Sequence, residues 1–334
     1  MSKSKKNIKF YYGIPHAHTS FSTGSGSPED AYYYAYKNGL DFLAITDHNN
    51  HLAKEDPKSS VSKWSLLNSI CHKFNKKYSN FLAVKGFETK TIYGDINVIN
   101  PYNYFKGTVN NFNFLVLWIL NNPDSVICIN HPHKDILNLE FNELLNKVIT
   151  SIEVGNGIYP VKYVRYDKYY YSLLDKGFKL GAINGQDNHK LNFGDFENLT
   201  VLICNELSFE NLINSFRERK TYSTESKTMR MYFSIDDIFM GGTLKTSKSR
   251  LRFNIYAEDL RFKINTIEIV SNKNLIVKKI SDIELNSIKY IYEHEKKSCE
   301  NWYVIRILSD NCKRLSISSP IFIESHVPPA KPEA

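Results

Sequence analysis

The segment Phe10–Ser20 reads FYYGIPHAHTS. Its opening aromatic residues predict a short strand, Phe10 to Gly13, that runs directly into two histidines two residues apart, His16 and His18. Alternate residues of an extended chain point to the same side, so both imidazoles reach one ion. The same arrangement, an apolar strand closing on metal-ligating or acid–base side chains, recurs four more times. Ile45-Thr46-Asp47-His48 closes the strand Phe42 to Thr46, and Gly86-Phe87-Glu88 closes Phe81 to Phe87. Asn130-His131-Pro132-His133 closes Val126 to Asn130, and Gly185-Gln186-Asp187-Asn188-His189 follows Leu180 to Asn184. Loops at the carboxyl ends of βα strands converge on one ligand site, so five clusters at successive strand ends predict a metal site.

Further strands are expected at Ile152 to Val154 and Thr200 to Cys204. Between the strands, amphipathic segments predict helices at Pro28 to Asn38, Trp64 to Lys77, Phe114 to Asn121, Asn142 to Val148, Val161 to Lys176 and Phe209 to Arg219. The first has a strong start signal. Ser27 caps the free amides, Pro28 suits the first helical position, and Glu29 and Asp30 complement the dipole. Alternation of strand and helix predicts an α/β fold for residues 10–222. Beyond Tyr222 the pattern becomes strands separated by turns, at Met231 to Ile235, Leu251 to Tyr256, Thr266 to Val270, Leu275 to Ile280, Ser287 to Tyr292, Trp302 to Leu308 and Ile321 to Glu324. These predict a small antiparallel β-sandwich over residues 223–326, with a basic tail at 1–9 and a proline-rich disordered tail at 327–334.

Composition sets outer bounds. The 334 residues, 42% of them hydrophobic, suffice for more than one domain core, and 13% aromatic content excludes a disordered or collagen-like chain. The longest apolar run, Phe112 to Leu120, is far short of the roughly 20 residues that cross a bilayer. No secretory signal opens the chain, and a cytoplasmic protein without membrane association is expected. The cysteines, Cys71, Cys128, Cys204, Cys299 and Cys312, are widely spaced and predict reduced, mostly buried thiols. The net charge of +8 favours anionic partners, a small phosphorylated substrate first and nucleic acid second. With no P-loop and no dinucleotide fingerprint, nucleotide-driven energy coupling is not expected.

The ordered set HAHTS, TDH, GFE, NHPH and GQDNH resembles the PHP (polymerase and histidinol phosphatase) superfamily of metal-dependent phosphoesterases, over about residues 10–205. The following domain, with WYVIRI and SSPIFI near its end, looks like the branch that includes carbaryl-type hydrolases. The resemblance implies a distorted (β/α)7 TIM-like barrel with two or three divalent ions, Mn, Fe or Zn. It implies that His16, His18, Glu88 and Asp187 hold the first ion, that Glu88 bridges to a second held by His131, and that His48 and His189 match ligands of a third. Two positions depart from the pattern. Asp95, in Gly94-Asp95-Ile96-Asn97, stands where a histidine is usual, and this harder donor shifts preference toward Mn, Fe or Mg without excluding Zn. Thr23 stands where a carboxylate or imidazole is usual, so the third ion lacks a good ligand.

The expected reaction is hydrolysis of a phosphomonoester or phosphodiester by a metal-activated water. Asp47 is expected behind the ligands, as an acceptor for an imidazole N–H or for a proton, and His133 as a general acid. Lys90, Lys134 and Arg165 are candidate phosphate contacts at the rim, whereas His51, His72, His294 and His326 are given ordinary surface roles. Two other readings stay open. One is a carbamate or carboxylic ester hydrolase using the same site; the other is a non-catalytic binding protein, with a nuclease as a related case, on a degenerate barrel.

Overall fold

The computed structural model describes residues 8–56 and 60–325. The expected C-terminal tail, residues 1–7 of the expected N-terminal tail, and His326 lie outside them; Lys9 already belongs to the first strand. Nine strands build the first part: β1 (Lys9–Ile14), β2 (Phe42–Ile45), β3 (Leu82–Thr91), β4 (Gly94–Ile99), β5 (Val126–Ile129), β6 (Ile149–Ile158), β7 (Lys162–Arg165), β8 (Gly181–Gly185) and β9 (Leu199–Cys204). Its helices are α1 (Pro28–Lys37), α2 (Asn49–Leu52), α3 (Lys63–Lys77), α4 (Phe112–Leu120), α5 (Glu143–Val148), α6 (Asp167–Asp175) and α7 (Phe209–Arg217). Helix α1 starts as its residues dictate: the Ser27 hydroxyl accepts from Asp30 N–H while the Asp30 carboxylate accepts from Ser27 N–H, a reciprocal cap.

Strands β1, β2 and β3 pair in parallel, as do β5, β6 and β8. Between the two sets runs β4, antiparallel to both β3 and β5. This strand was not expected; Gly94 at φ +124° lets the chain turn back from the overhanging end of β3. The expected run of uniform βα units is therefore interrupted. A second departure lies at Val161–Lys176, whose first residues form β7 and pair antiparallel with the overhang of β6. Tyr163 and Val164 favour extended chain, and the Tyr163 hydroxyl accepts from Asn184 Nδ2 at 2.9 Å, so α6 begins only at Asp167. On the far side β9 lies antiparallel to β1.

The sheet curls until β8 meets β9, and this seam is sewn by hydroxyls. Asn184 N–H donates to Thr200 Oγ1 at 2.8 Å, and the same hydroxyl donates to Asn184 O at 2.9 Å. Next to it Thr221 Oγ1 donates to Ala182 O at 3.1 Å.

The second part comprises β10 (Thr221–Thr224), β11 (Met229–Ile235), β12 (Ile238–Phe239), β13 (Thr243–Thr246), β14 (Arg250–Asp259), β15 (Ile264–Ser271), β16 (Leu275–Ile280), β17 (Ser287–Glu295), β18 (Trp302–Ser309), β19 (Arg314–Ser318) and β20 (Ile321–Ser325). Four strands form one sheet in the order β12-β11-β14-β17; the others continue the first sheet, because β10 pairs with both β9 and β19. Strand β14 alternates: Leu251, Phe253, Ile255 and Ala257 are buried, while Arg250 and Arg252 face water. They share one core with Ile267 and Ile269 of β15 and Ile305 and Ile307 of β18. His294 was expected at the surface but lies in phase with Tyr290 and Tyr292 on β17, and it is buried against Glu300 at 2.7 Å. All five cysteines are free; only Cys71 and Cys128 are buried, fewer than expected. Among the described residues no helix is long and apolar enough to cross a membrane.

Candidate metal centre

The ends of β1, β2, β3, β5 and β8 bring their clusters together at one edge of the sheet. His16 and His18 are fully buried there, as is Glu88 but for 2% of its surface. The ligand atoms form four overlapping groups, each closed within 4.8 Å: His16–His18–Glu88, His16–His131–Asp187, His18–Asp187–His189 and Glu88–Asp95–His131. Asp187 takes part at φ +50°, a conformation that a non-glycine residue adopts only where its surroundings hold it.

Glu88 stands at the centre, and its two oxygens face different partners. Oε1 lies 3.3 Å from His16 Nε2 and 3.2 Å from His131 Nε2, while Oε2 lies 3.3 Å from His18 Nε2 and 3.1 Å from His48 Nδ1. Asn130 Nδ2 donates to Oε1 at 2.9 Å and fixes the carboxylate's rotation. Burial disfavours charge on Glu88, but His16 and His131 outweigh it and hold the carboxyl well below its ordinary range. Asp187 behaves alike: burial opposes its charge, and His16 and His18 bring its pKa down to about 2.

Sequence reasoning missed Glu153, fully buried on β6. Its Oε2 accepts His131 N–H at 2.6 Å and Asn156 Nδ2 at 2.8 Å, and its Oε1 lies 2.9 Å from His16 Nδ1. A carboxylate only accepts, so His16 donates from Nδ1 and turns Nε2 inward, where a neutral ring would offer its lone pair. Nε2 faces Glu88 Oε1 at 3.3 Å, Asp187 Oδ1 at 3.4 Å and His18 Nε2 at 3.2 Å. Asp187 Oδ1 is itself buried and accepts no hydrogen bond, although His18 Nε2 is 3.0 Å away. Imidazole nitrogens and carboxylate oxygens converging in this way suit a divalent cation. The same field acts on protons: burial lowers the His16 pKa, yet Asp187, Glu88 and Glu153 raise it well above its ordinary value. The signal for Glu153 was available, as a carboxylate inside the strand ITSIEVGNGI whose end shares this edge.

Other expected residues fall variously. His48 packs its ring 4.6 Å from that of His18, and burial pushes its pKa down to about 4. The His189 ring lies tilted by 31° to that of His18, also at 4.6 Å, with Nδ1 2.9 Å from Asp187 O. Asp47 does not meet an imidazole: its oxygens accept from Thr19 N–H at 2.8 Å, Thr19 Oγ1 at 2.6 Å and the Ser22 hydroxyl. Ser22 in turn lies 3.4 Å from His18 Nδ1, so Asp47 acts on His18 at one remove, while Thr23 is exposed. His133 is exposed, accepts at Nδ1 from Asp135 N–H at 3.3 Å and has Nε2 beside Gly94. Lys134 is exposed on a short 3₁₀ turn. Arg165 does not face the centre: its guanidinium pairs with buried Glu225 at 2.7 and 2.6 Å and donates to Lys313 O, because β7 turns it toward the second part. Lys90 and His51 line a cavity of about 250 Å³ beside His48 and Glu88, so His51 is not the plain surface residue expected.

No protein-family model matches the chain, and no curated protein does. Among solved structures, the chain is similar to a two-domain protein from Bacteroides vulgatus described as containing a predicted PHP-like metal-dependent phosphoesterase. The identity is 16%, with a TM-score of 0.53 over 90% of each chain. PsfC from Pseudomonas syringae matches 64% of this chain and 90% of its own (15% identity, TM-score 0.44). An amidohydrolase from Chromobacterium violaceum, solved with bound sulfate and no metal, matches 52% of this chain and 87% of its own (13% identity, TM-score 0.35). The Bacteroides likeness spans both parts of the molecule and shows that the two chains share a fold.

Proposed function

We propose that the chain is a metal-dependent phosphoesterase, hydrolysing a phosphomonoester or phosphodiester at a centre of two or three divalent ions. The observation that carries this reading is Glu88, whose two oxygens address His16 and His131 on one side and His18 and His48 on the other. A carboxylate with Oε1 between His16 and His131 and Oε2 between His18 and His48 could share a cation held at His16 and His18 with neighbouring ones at His131 and at His48. His16, His18 and Asp187 would share the first position with Glu88, and His131 and Asp95 the second. His48 and His189, both close to His18, would hold a more weakly bound third. When bound, such ions act as Lewis acids, lower the pKa of water and neutralise a phosphoryl group under attack.

The chain's own residues do the rest. Glu153 keeps Nε2 of His16 free to ligate, and Asp47 holds Ser22 against His18. Lys90, in the cavity beside the centre, would meet phosphate oxygens, and His133 would protonate the leaving group. The five free cysteines support a reducing compartment such as the cytoplasm.

The test joins metal content to turnover. Protein purified without added metal is assayed by mass spectrometry, then given Mn, Fe or Zn and a panel of aryl phosphates, phosphodiesters, carboxylates and carbamates. Two or more ions per chain, with phosphate ester cleavage, are expected. Asp187→Ala should lose most of both while keeping its circular dichroism spectrum. Cleavage of carboxylates or carbamates alone would overturn the phosphoesterase reading, and a chain that binds no metal would overturn the hydrolytic one.

A further inference from the structure

The metal centre occupies the carboxyl ends of the parallel strands. At the opposite edge, where β5, β6 and β8 begin, lies a separate cavity of about 900 Å³, within the size range of small-molecule sites. Four cationic side chains line it, Lys147, Lys179, Arg217 and Arg219, and its apolar wall includes Leu120 and Phe141. Those two are large hydrophobics left 71% and 41% exposed, which suits a partner of mixed character.

The two arginines are held by backbone carbonyls and not by carboxylates. Lys179 alone has a carboxylate, Glu324, at 2.7 Å. Arg217 Nη2 donates to Ser125 O at 3.3 Å, and Arg219 Nε donates to Gly241 O at 2.9 Å with its guanidinium 5.8 Å from the centre of the Phe322 ring. Backbone carbonyls fix the direction of a guanidinium but leave its charge uncompensated. Among the described residues Lys147, Arg217 and Arg219 form no ion pair, and besides Glu324 the lining carries one other carboxylate, Glu143. Burial pushes the Arg219 pKa down, against the opposing pull of Tyr170 and Glu218. Two anchored guanidiniums and a lysine around one opening match the oxygens of a phosphoryl group better than a single carboxylate.

We propose that this cavity is a second ligand site, taking a small molecule that carries a phosphoryl group on an apolar body. The phosphoryl oxygens would meet Arg217, Arg219 and Lys147, and the body would cover Leu120 and Phe141. The inference uses none of the residues of the metal centre, so it stands or falls apart from the phosphoesterase reading.

The test titrates phenyl phosphate, inorganic phosphate and benzyl alcohol by calorimetry into chelator-treated Asp187→Ala protein, where the metal centre is disabled. Chelator-treated unsubstituted chain serves as a parallel arm should that variant fail to fold. Expected are one phenyl phosphate per chain, weaker inorganic phosphate and no benzyl alcohol. Arg217→Ala and Lys147→Ala, both at exposed positions, should each weaken phenyl phosphate about tenfold, the loss of one charge-assisted hydrogen bond. The proposal is overturned by absence of saturable binding, by affinity unchanged in both variants, or by binding that depends on Asp187 in a folded variant, which would place the anion at the metal centre.

Discussion

At the residue scale the site depends on a carboxylate outside the candidate ligand groups. Glu153 sets the tautomer of His16 and ties down the backbone of His131, so it governs two candidate ligands from one buried position. Replacing it by Gln keeps the volume but removes the charge that orients the imidazole. Glu153→Gln should weaken metal binding by about 10- to 100-fold, read by competition with a chromophoric chelator, while the thermal midpoint moves little. Affinity unchanged within twofold would make Glu153 a packing residue. The letters of HAHTS, TDH, GFE, NHPH and GQDNH show the convergent side chains because each lies beyond the parallel-paired part of its strand, Glu88 included, since β3 pairs with β2 only as far as Lys85. Glu153 lies within the paired part of β6, opposite Ile183 of β8, and Arg165 misled because a cation near a strand end looks alike whether it faces substrate or Glu225.

At the element scale, close approach between strands decides two outcomes. Gly185 ends β8 where an added Cβ would overlap Glu153 Oε1. Gly185→Ala should therefore cost roughly 1–3 kcal/mol in thermal or urea melts and displace Glu153, lowering metal affinity with it. An alanine variant that matches the parent in both would show that β6 and β8 have slack. Asp41 links β1 to β2: it accepts Tyr12 N–H at 2.7 Å and its own N–H donates to Tyr12 O at 2.8 Å. Burial pushes its carboxyl up to about 6 from 3.8. Between those values the folded chain binds more protons than the unfolded one, so this group's contribution to stability falls as pH rises through the window and stays lower above it. Asp41→Asn should flatten that part of the profile, with the variant gaining on the parent between urea melts at about pH 4 and about pH 7. A constant difference across the window would show that Asp41 does not titrate there.

At the scale of the whole molecule the two parts are one hydrogen-bonded object. Strand β10 pairs with β9 on one side and β19 on the other, and the core of the second part includes Val201, Ile203 and Tyr222. The Arg165–Glu225 pair and the Trp302 Nε1–H donating to Asp175 at 3.0 Å cross the same junction. A chain cut after residue 222 would sever β10 and bare those apolar side chains and part of the edge of β9. Such a fragment should aggregate or unfold without cooperativity, whereas the full chain melts in one transition; a soluble, cooperatively folding fragment would mean the junction is a linker.

The sequence by itself determined the strand-and-helix alternation, the change to an all-strand pattern after Tyr222, and the five chemistry-bearing strand ends. Each of these is written in local periodicity and in which residues interrupt it. Tertiary structure alone decided that β4 runs antiparallel in the wall, that Thr200 and Thr221 sew the last seam, that Glu153 backs His16, and that the two parts share a sheet. These depend on contacts between residues far apart in the chain, where a hydroxyl or a carboxylate gains its role only from what the fold places opposite it.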